Sequence, residues 1–153
     1  MIATTLRTVS ADLAETIRTL TPDYPLYQDA RWTPVERVID VPGEQMRLFH
    51  CEWDDAVPLD DGIYGDAIEY GTNLRVWTNY RHLSEEDGET QDRAAEIVTA
   101  DARQLYVVLQ ERLDPVVDGL TWVAPLGWTP EVAEPGHLWG FHEFEVRLLL
   151  AAY

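Results

Sequence analysis

Ala94, Ile97, Val98, Ala102, Leu105, Val108, Leu109 and Leu113 recur at spacings that stack them on one face of an α-helix. A stripe carried over about six turns leaves an apolar face that water cannot satisfy, so the rest of the chain must supply a surface for it to cover. Glu96, Asp101, Arg103 and Gln110 are expected to face away from that surface. Acidic residues gather before the stripe and Arg112 lies at its end, the polarity a helix dipole favours. Asp114-Pro115 and then Gly119 stop the segment, which places the helix over Thr90–Leu113.

The covered surface is expected to be a sheet. Met46 to Trp53 alternates, with Phe49, Cys51 and Trp53 on one face and Arg47, His50 and Glu52 mostly opposing. Ile68 to Tyr80 alternates likewise, Leu74, Val76 and Tyr80 against Arg75, Asn79 and Arg81. Leu138 to Leu150 sets Phe144, Val146, Leu148 and Leu150 against Glu143, Glu145 and Arg147. A short strand is expected at Leu120–Ala124, followed by a Pro/Gly/Trp-rich turn region through Gly136. A shorter helix opens the chain, with Leu6, Val9, Leu13, Ile17 and Leu20 on one face and Thr21-Pro22 ending it. Residues 23–45 read as an extended, proline-rich excursion with one β-branched run, Val35 to Val41. The order defines an α+β domain spanning residues 1–153: a mostly antiparallel sheet, with an N-terminal helix and one long helix packed on one face.

Charge narrows the partners. Eleven arginines and no lysine stand against 28 aspartates and glutamates, a formal net charge of −17 on 153 residues. Such a field repels phosphate backbones and anionic lipid, and it costs stability through self-repulsion unless salt screens it. A lysine-poor, GC-rich genome and a salt-loving host both account for it. The acidic residues concentrate in two expected loops, one holding Asp54, Asp55, Asp60, Asp61 and Asp66, the other Glu85, Glu86 and Asp87. No apolar run reads as a signal peptide or a membrane span, so synthesis in the cytoplasm and no membrane partner are expected.

No constellation points to catalysis. His137, His142 and Glu143 form the densest imidazole-carboxylate stretch, but on a strand His142 opposes both of the others, so the three do not converge as metal ligands. The aspartates of residues 54–66 miss the alternate spacing of a calcium loop, which favours a solvated acidic loop. Cys51, the single cysteine, falls mid-strand beside Phe49 and Trp53 and reads as a small buried filler, away from the helix N-termini where reactive thiols sit. Nucleophile-elbow, P-loop and dinucleotide glycine patterns do not occur, and no cofactor is implied. Six tryptophans remain: Trp53, Trp77 and Trp139 in strands, Trp32, Trp122 and Trp128 near turns. Exposed aromatics suit protein–protein anchors and also sugar platforms.

The arrangement of helix Leu6–Leu20, the long hairpin with strands near 46–53 and 67–81, helix Thr90–Leu113, the stretch Leu113 to Leu120 and the closing segment Gly136 to Leu148 resembles the tail terminator and tail-completion (neck) proteins of long-tailed bacterial and archaeal viruses. The resemblance covers most of the chain and rests on the order of elements. It implies a non-enzymatic virion subunit forming a homo-oligomeric, six-fold ring that caps the tail tube and joins it to the head connector. DNA would pass through such a ring without specific binding, past carboxylates that repel phosphate. Asp54, Asp55, Asp60, Asp61, Asp66, Glu85, Glu86 and Asp87 are then expected at the lumen or between subunits, with Trp77 and Trp139 at interfaces. The alternative is a soluble ligand-binding module that takes carbohydrate or a divalent ion through the tryptophans and acidic loops.

Overall fold

The computed structural model describes residues 5–22, 31–36, 46–64, 67–80, 88–113, 119–134 and 137–151. Its elements follow as α1 (Leu6–Arg18), β1 (Thr33–Pro34), β2 (Met46–Trp53), β3 (Val57–Tyr64), β4 (Ala67–Tyr80), α2 (Gly88–Glu111), β5 (Leu120–Glu134) and β6 (His137–Ala151). One sheet carries the strands in the order β1-β2-β4-β6-β5, with β3 also paired to β4. Every described pairing is antiparallel except β1 with β2. The class is α+β, with the sheet predominating.

Thr5 caps α1, its hydroxyl accepting from the Thr8 amide, and Val9, Leu13 and Ile17 bury the apolar stripe. These three join Leu105 and Leu109 of α2 in a single cluster with Phe49, Leu74, Val76, Val123, Phe144, Val146, Leu148 and Leu150. The strand members sit at alternate positions, so they share one face of the sheet. Arg112, just past α2, reaches back to Asp12 at 3.2 Å and to the Thr16 hydroxyl, tying the two helices together.

The expected acidic loop after β2 is largely strand. β2 breaks at Asp54–Ala56 but stays fastened there: the Asp54 amide donates to the Asn73 carbonyl at 3.0 Å and the Thr72 hydroxyl donates to the Asp54 carbonyl at 2.8 Å. β3 then resumes along the same edge of β4, from Val57 opposite Gly71 to Tyr64 opposite Ala67. Four residues, Leu59 to Gly62, stand opposite Glu69 alone, so Asp60 and Asp61 occupy a bulge instead of an open loop.

The expected turn region after residue 124 is also strand. β5 runs to Glu134 because Pro125 and Pro130 lie on the edge of the sheet, at register shifts where a missing amide costs no ladder bond. Trp122 and Trp128 therefore stand in a strand. Gly127, at one shift, has a φ of 116°. Gly140 of β6 lies so close to β5 that an added Cβ would meet the Thr129 carbonyl oxygen at 2.2 Å and the Pro130 Cα at 2.7 Å.

Two polar residues depart from the facing expected of them. A register shift between Met46 and Leu48 leaves Arg47 with a φ of 57°, and its side chain is fully buried instead of facing outward. Its partner is Asp101, also expected to face solvent and also fully buried. Asn79 keeps its expected face, between Leu48 and Trp139, but is buried there. Among the described residues of the 33–41 region Thr33–Pro34 pair as a strand, and residues 37–41 of the expected β-branched run lie outside the described residues. The long helix starts at Gly88 and ends at Glu111, so Arg112 falls just beyond its last turn.

Candidate functional site

The strand faces opposite the helices form rows that read straight across the sheet. His50 of β2 pairs with Trp77 of β4, which pairs with Phe141 of β6. The next row is Glu52, Arg75 and Glu143. Asn73, Glu145 and Ala124 follow, and then Gly71, Arg147 and Trp122. An aromatic row thus lies directly against a charged one.

Within the aromatic row the His50 and Trp77 rings stack at 6.1 Å with 13° between planes. Trp77 also touches Phe141 at 4.8 Å and Trp139 at 5.7 Å. All four side chains are half-buried, so part of each ring remains accessible. The Trp77 indole N–H has no acceptor among the described residues.

Arg75 organises the charged row. Its Nε donates to Glu143 at 2.8 Å, its Nη1 to Asp54 at 2.7 Å and to Glu52 at 3.2 Å, and its Nη2 to Asp54 at 3.1 Å. The guanidinium also lies over the Phe141 ring, 5.4 Å from the centroid. One cation held by three carboxylates and an aromatic face is pinned in place, and the carboxylates outnumber it. Farther along, Arg147 covers the Trp122 ring at 4.9 Å, and the Thr121 hydroxyl donates to Glu69 at 2.7 Å.

The core side of the same strands holds a buried polar group. Arg47 Nε and Nη2 donate to the two Asp101 oxygens at 2.8 and 3.2 Å. The Tyr80 hydroxyl lies 2.7 Å from His142 Nε2. Burial, reinforced by the Asp101 carboxylate, pushes the Tyr80 hydroxyl well above the ordinary phenol range. Burial alone pushes His142 down to about 3, so its imidazole is neutral at pH 7. Trp128 covers the imidazole at 4.7 Å, and Nδ1 has no partner among the described residues. This arrangement ties α2 to the sheet.

The expected site residues divide accordingly. Trp77 and Trp139 come together on the face opposite the helices, and Asp54 joins them through Arg75. Asp55 is exposed at the β2–β3 break and takes no part in the Arg75 group. Asp60 and Asp61 lie in the β3 bulge, their side chains outside the described set, as are Asp66, Glu85, Glu86 and Asp87 entirely. His142 faces the core whereas Glu143 bonds Arg75 on the opposite face. Among the described residues no three His, Cys, Asp or Glu side chains converge as metal ligands. Cys51 lines a groove between α1 and β2, and burial pushes its thiol up to about 12. Sequence reasoning overlooked His50, Arg75 and Phe141 as members of one face, although their alternate positions in three expected strands were the available signal. No described helix is long and apolar enough to cross a membrane. No protein-family model and no curated protein matches the chain.

Proposed function

We propose that this chain is a non-enzymatic assembly subunit, a tail-terminator or neck component of a long-tailed virus, which forms a homo-oligomeric ring between tail tube and head connector. The observation that carries the proposal is the sheet face opposite the helices, where His50, Trp77, Trp139 and Phe141 form a half-accessible aromatic group braced by Arg75. Aromatic side chains held in fixed positions lose little entropy on association and anchor protein interfaces. The titratable groups nearest to a catalytic pattern do not support an enzyme: His142 is sealed and neutral, and the Cys51 thiol is held protonated. A net charge of −17 suits a lumen through which DNA slides without sticking.

Mass photometry and electron microscopy of the purified chain, from low to molar salt, test the reading. Closed rings that bind the tail-tube protein are expected. Monomers under every condition, with no affinity for tail-tube protein, would refute it. A saturable tryptophan fluorescence response of such monomers to glycans or calcium would replace it with a ligand-binding role.

A further inference from the structure

The chemistry of the sheet face opposite the helices specifies what can sit on it. Among the described residues it carries five carboxylates, Glu52, Asp54, Glu69, Glu143 and Glu145, and two guanidiniums, Arg75 and Arg147. Glu52 and Asp54 keep 48% and 39% of their side-chain surface accessible even while bonded to Arg75. Glu145 is exposed in the next row. Both native cations are already engaged, Arg75 with three carboxylates and Arg147 with the Trp122 ring. The face therefore offers unmatched negative charge beside aromatic surface.

A second copy presenting this same face is a poor match for it. Two such faces brought together would oppose carboxylate to carboxylate, on molecules that each carry −17. Nucleic acid is repelled for the same reason. A sugar platform needs a flat open ring, whereas Trp77 and Trp139 are tilted 40° to one another and packed together. An arginine-bearing segment satisfies both chemistries at once. Its guanidinium can fork onto a carboxylate and stack on an indole, and its apolar atoms can cover the remaining ring surface.

We infer that this face docks a partner protein through a segment that combines arginines with apolar side chains. The inference rests on reading the face as an assembly surface, and it does not depend on ring formation. The full chain, labelled for amide NMR, is titrated with a synthetic peptide of alternating arginine and leucine. Shifts are expected at residues 50–54, 73–77 and 139–147, with affinity falling at least about tenfold between 0.1 and 0.5 M salt. Glu52→Gln with Glu145→Gln should weaken binding about tenfold. Glu96→Gln with Glu111→Gln removes the same charge from exposed positions on α2, across the sheet from this face, and should change affinity less than about twofold. A peptide of alternating arginine and serine should bind more weakly than its leucine counterpart.

Equal weakening by the two variant pairs would overturn the inference, because it would reduce binding to net charge. Shifts mapping elsewhere, or an arginine–serine peptide binding as tightly as the leucine one, would overturn it too. A chain that remains monomeric yet takes the peptide at this face would refute the ring and leave the docking assignment intact. A chain that assembles into rings but fails the peptide tests would do the reverse.

Discussion

Arg47 and Asp101, 54 positions apart, form a two-pronged ion pair with neither side chain exposed to solvent. The pair fixes the middle of α2 to the bulged start of β2, beside the buried Tyr80 and His142. Removing one member takes from the other its opposite charge in the interior. Asp101→Leu or Arg47→Met alone should therefore cost about 3–5 kcal/mol, and the double change Arg47→Met with Asp101→Leu should recover most of that loss. Urea unfolding of the four species, read as a double-mutant cycle, checks it.

Gly140 is held against β5 by contact with main-chain atoms that cannot swing aside. Gly140→Ala should destabilise the chain by about 1–3 kcal/mol or more, through displacement of β5 at Thr129–Pro130. Thermal unfolding followed by circular dichroism measures the cost, and amide hydrogen exchange should quicken first in β5.

His142 predicts a pH slope. Its folded value lies near 3, below the ordinary 6.5, so the unfolded chain binds a proton that the folded chain refuses. Above pH 6.5 the group contributes no pH dependence. Between 6.5 and about 3 it erodes stability as pH falls, by roughly 1 kcal/mol per pH unit. His142→Phe should flatten that part of the curve relative to the parent, whatever the change in absolute stability. Parallel curves for the two proteins would contradict the assignment.

Cys51 should be a reporter of unfolding. With its thiol pushed up to about 12, little thiolate exists at pH 8. Reaction with a disulfide reagent should be far slower in the native chain than in urea, and its rate should track the unfolded population. Rapid stoichiometric labelling of folded protein at pH 8 would contradict this.

Both helices and the three longest alternating runs were legible because each repeats one period for long enough to bury a face. α1 and α2 follow spacings of three and four, and β2, β4 and β6 follow spacing of two. The misreadings have local causes. Arg47 looked outward because a bulge with positive φ inverts its side chain, and nothing in its neighbours signals that inversion. Asp101 looked outward because its partner comes from β2, 54 positions away in the sequence. Pro125 and Pro130 argued for a turn, as they would in a central strand, but β5 is an edge whose register slips at both. The aspartates after β2 suggested a loop because they are poor strand formers, yet β4 templates the pairing of Val57–Pro58 and Ile63–Tyr64 on either side of them. The candidate face was half legible. Trp77 and Trp139 were singled out and do lie together, whereas the bracing of Arg75 by Asp54, Glu52 and Glu143 depends on cross-strand register.

The four-residue bulge opposite Glu69 bears on how such a chain can change length over generations. β2, β4 and β6 read across the sheet by parity, so inserting or deleting one residue within β4 would exchange the aromatic row for core side chains. Leu59 to Gly62 already absorb surplus residues while the pairs on either side, Pro58 with Tyr70 and Ile63 with Ile68, stay aligned. Related sequences should therefore vary in length at this point, and hold the spacing from Asn73 to Trp77 constant.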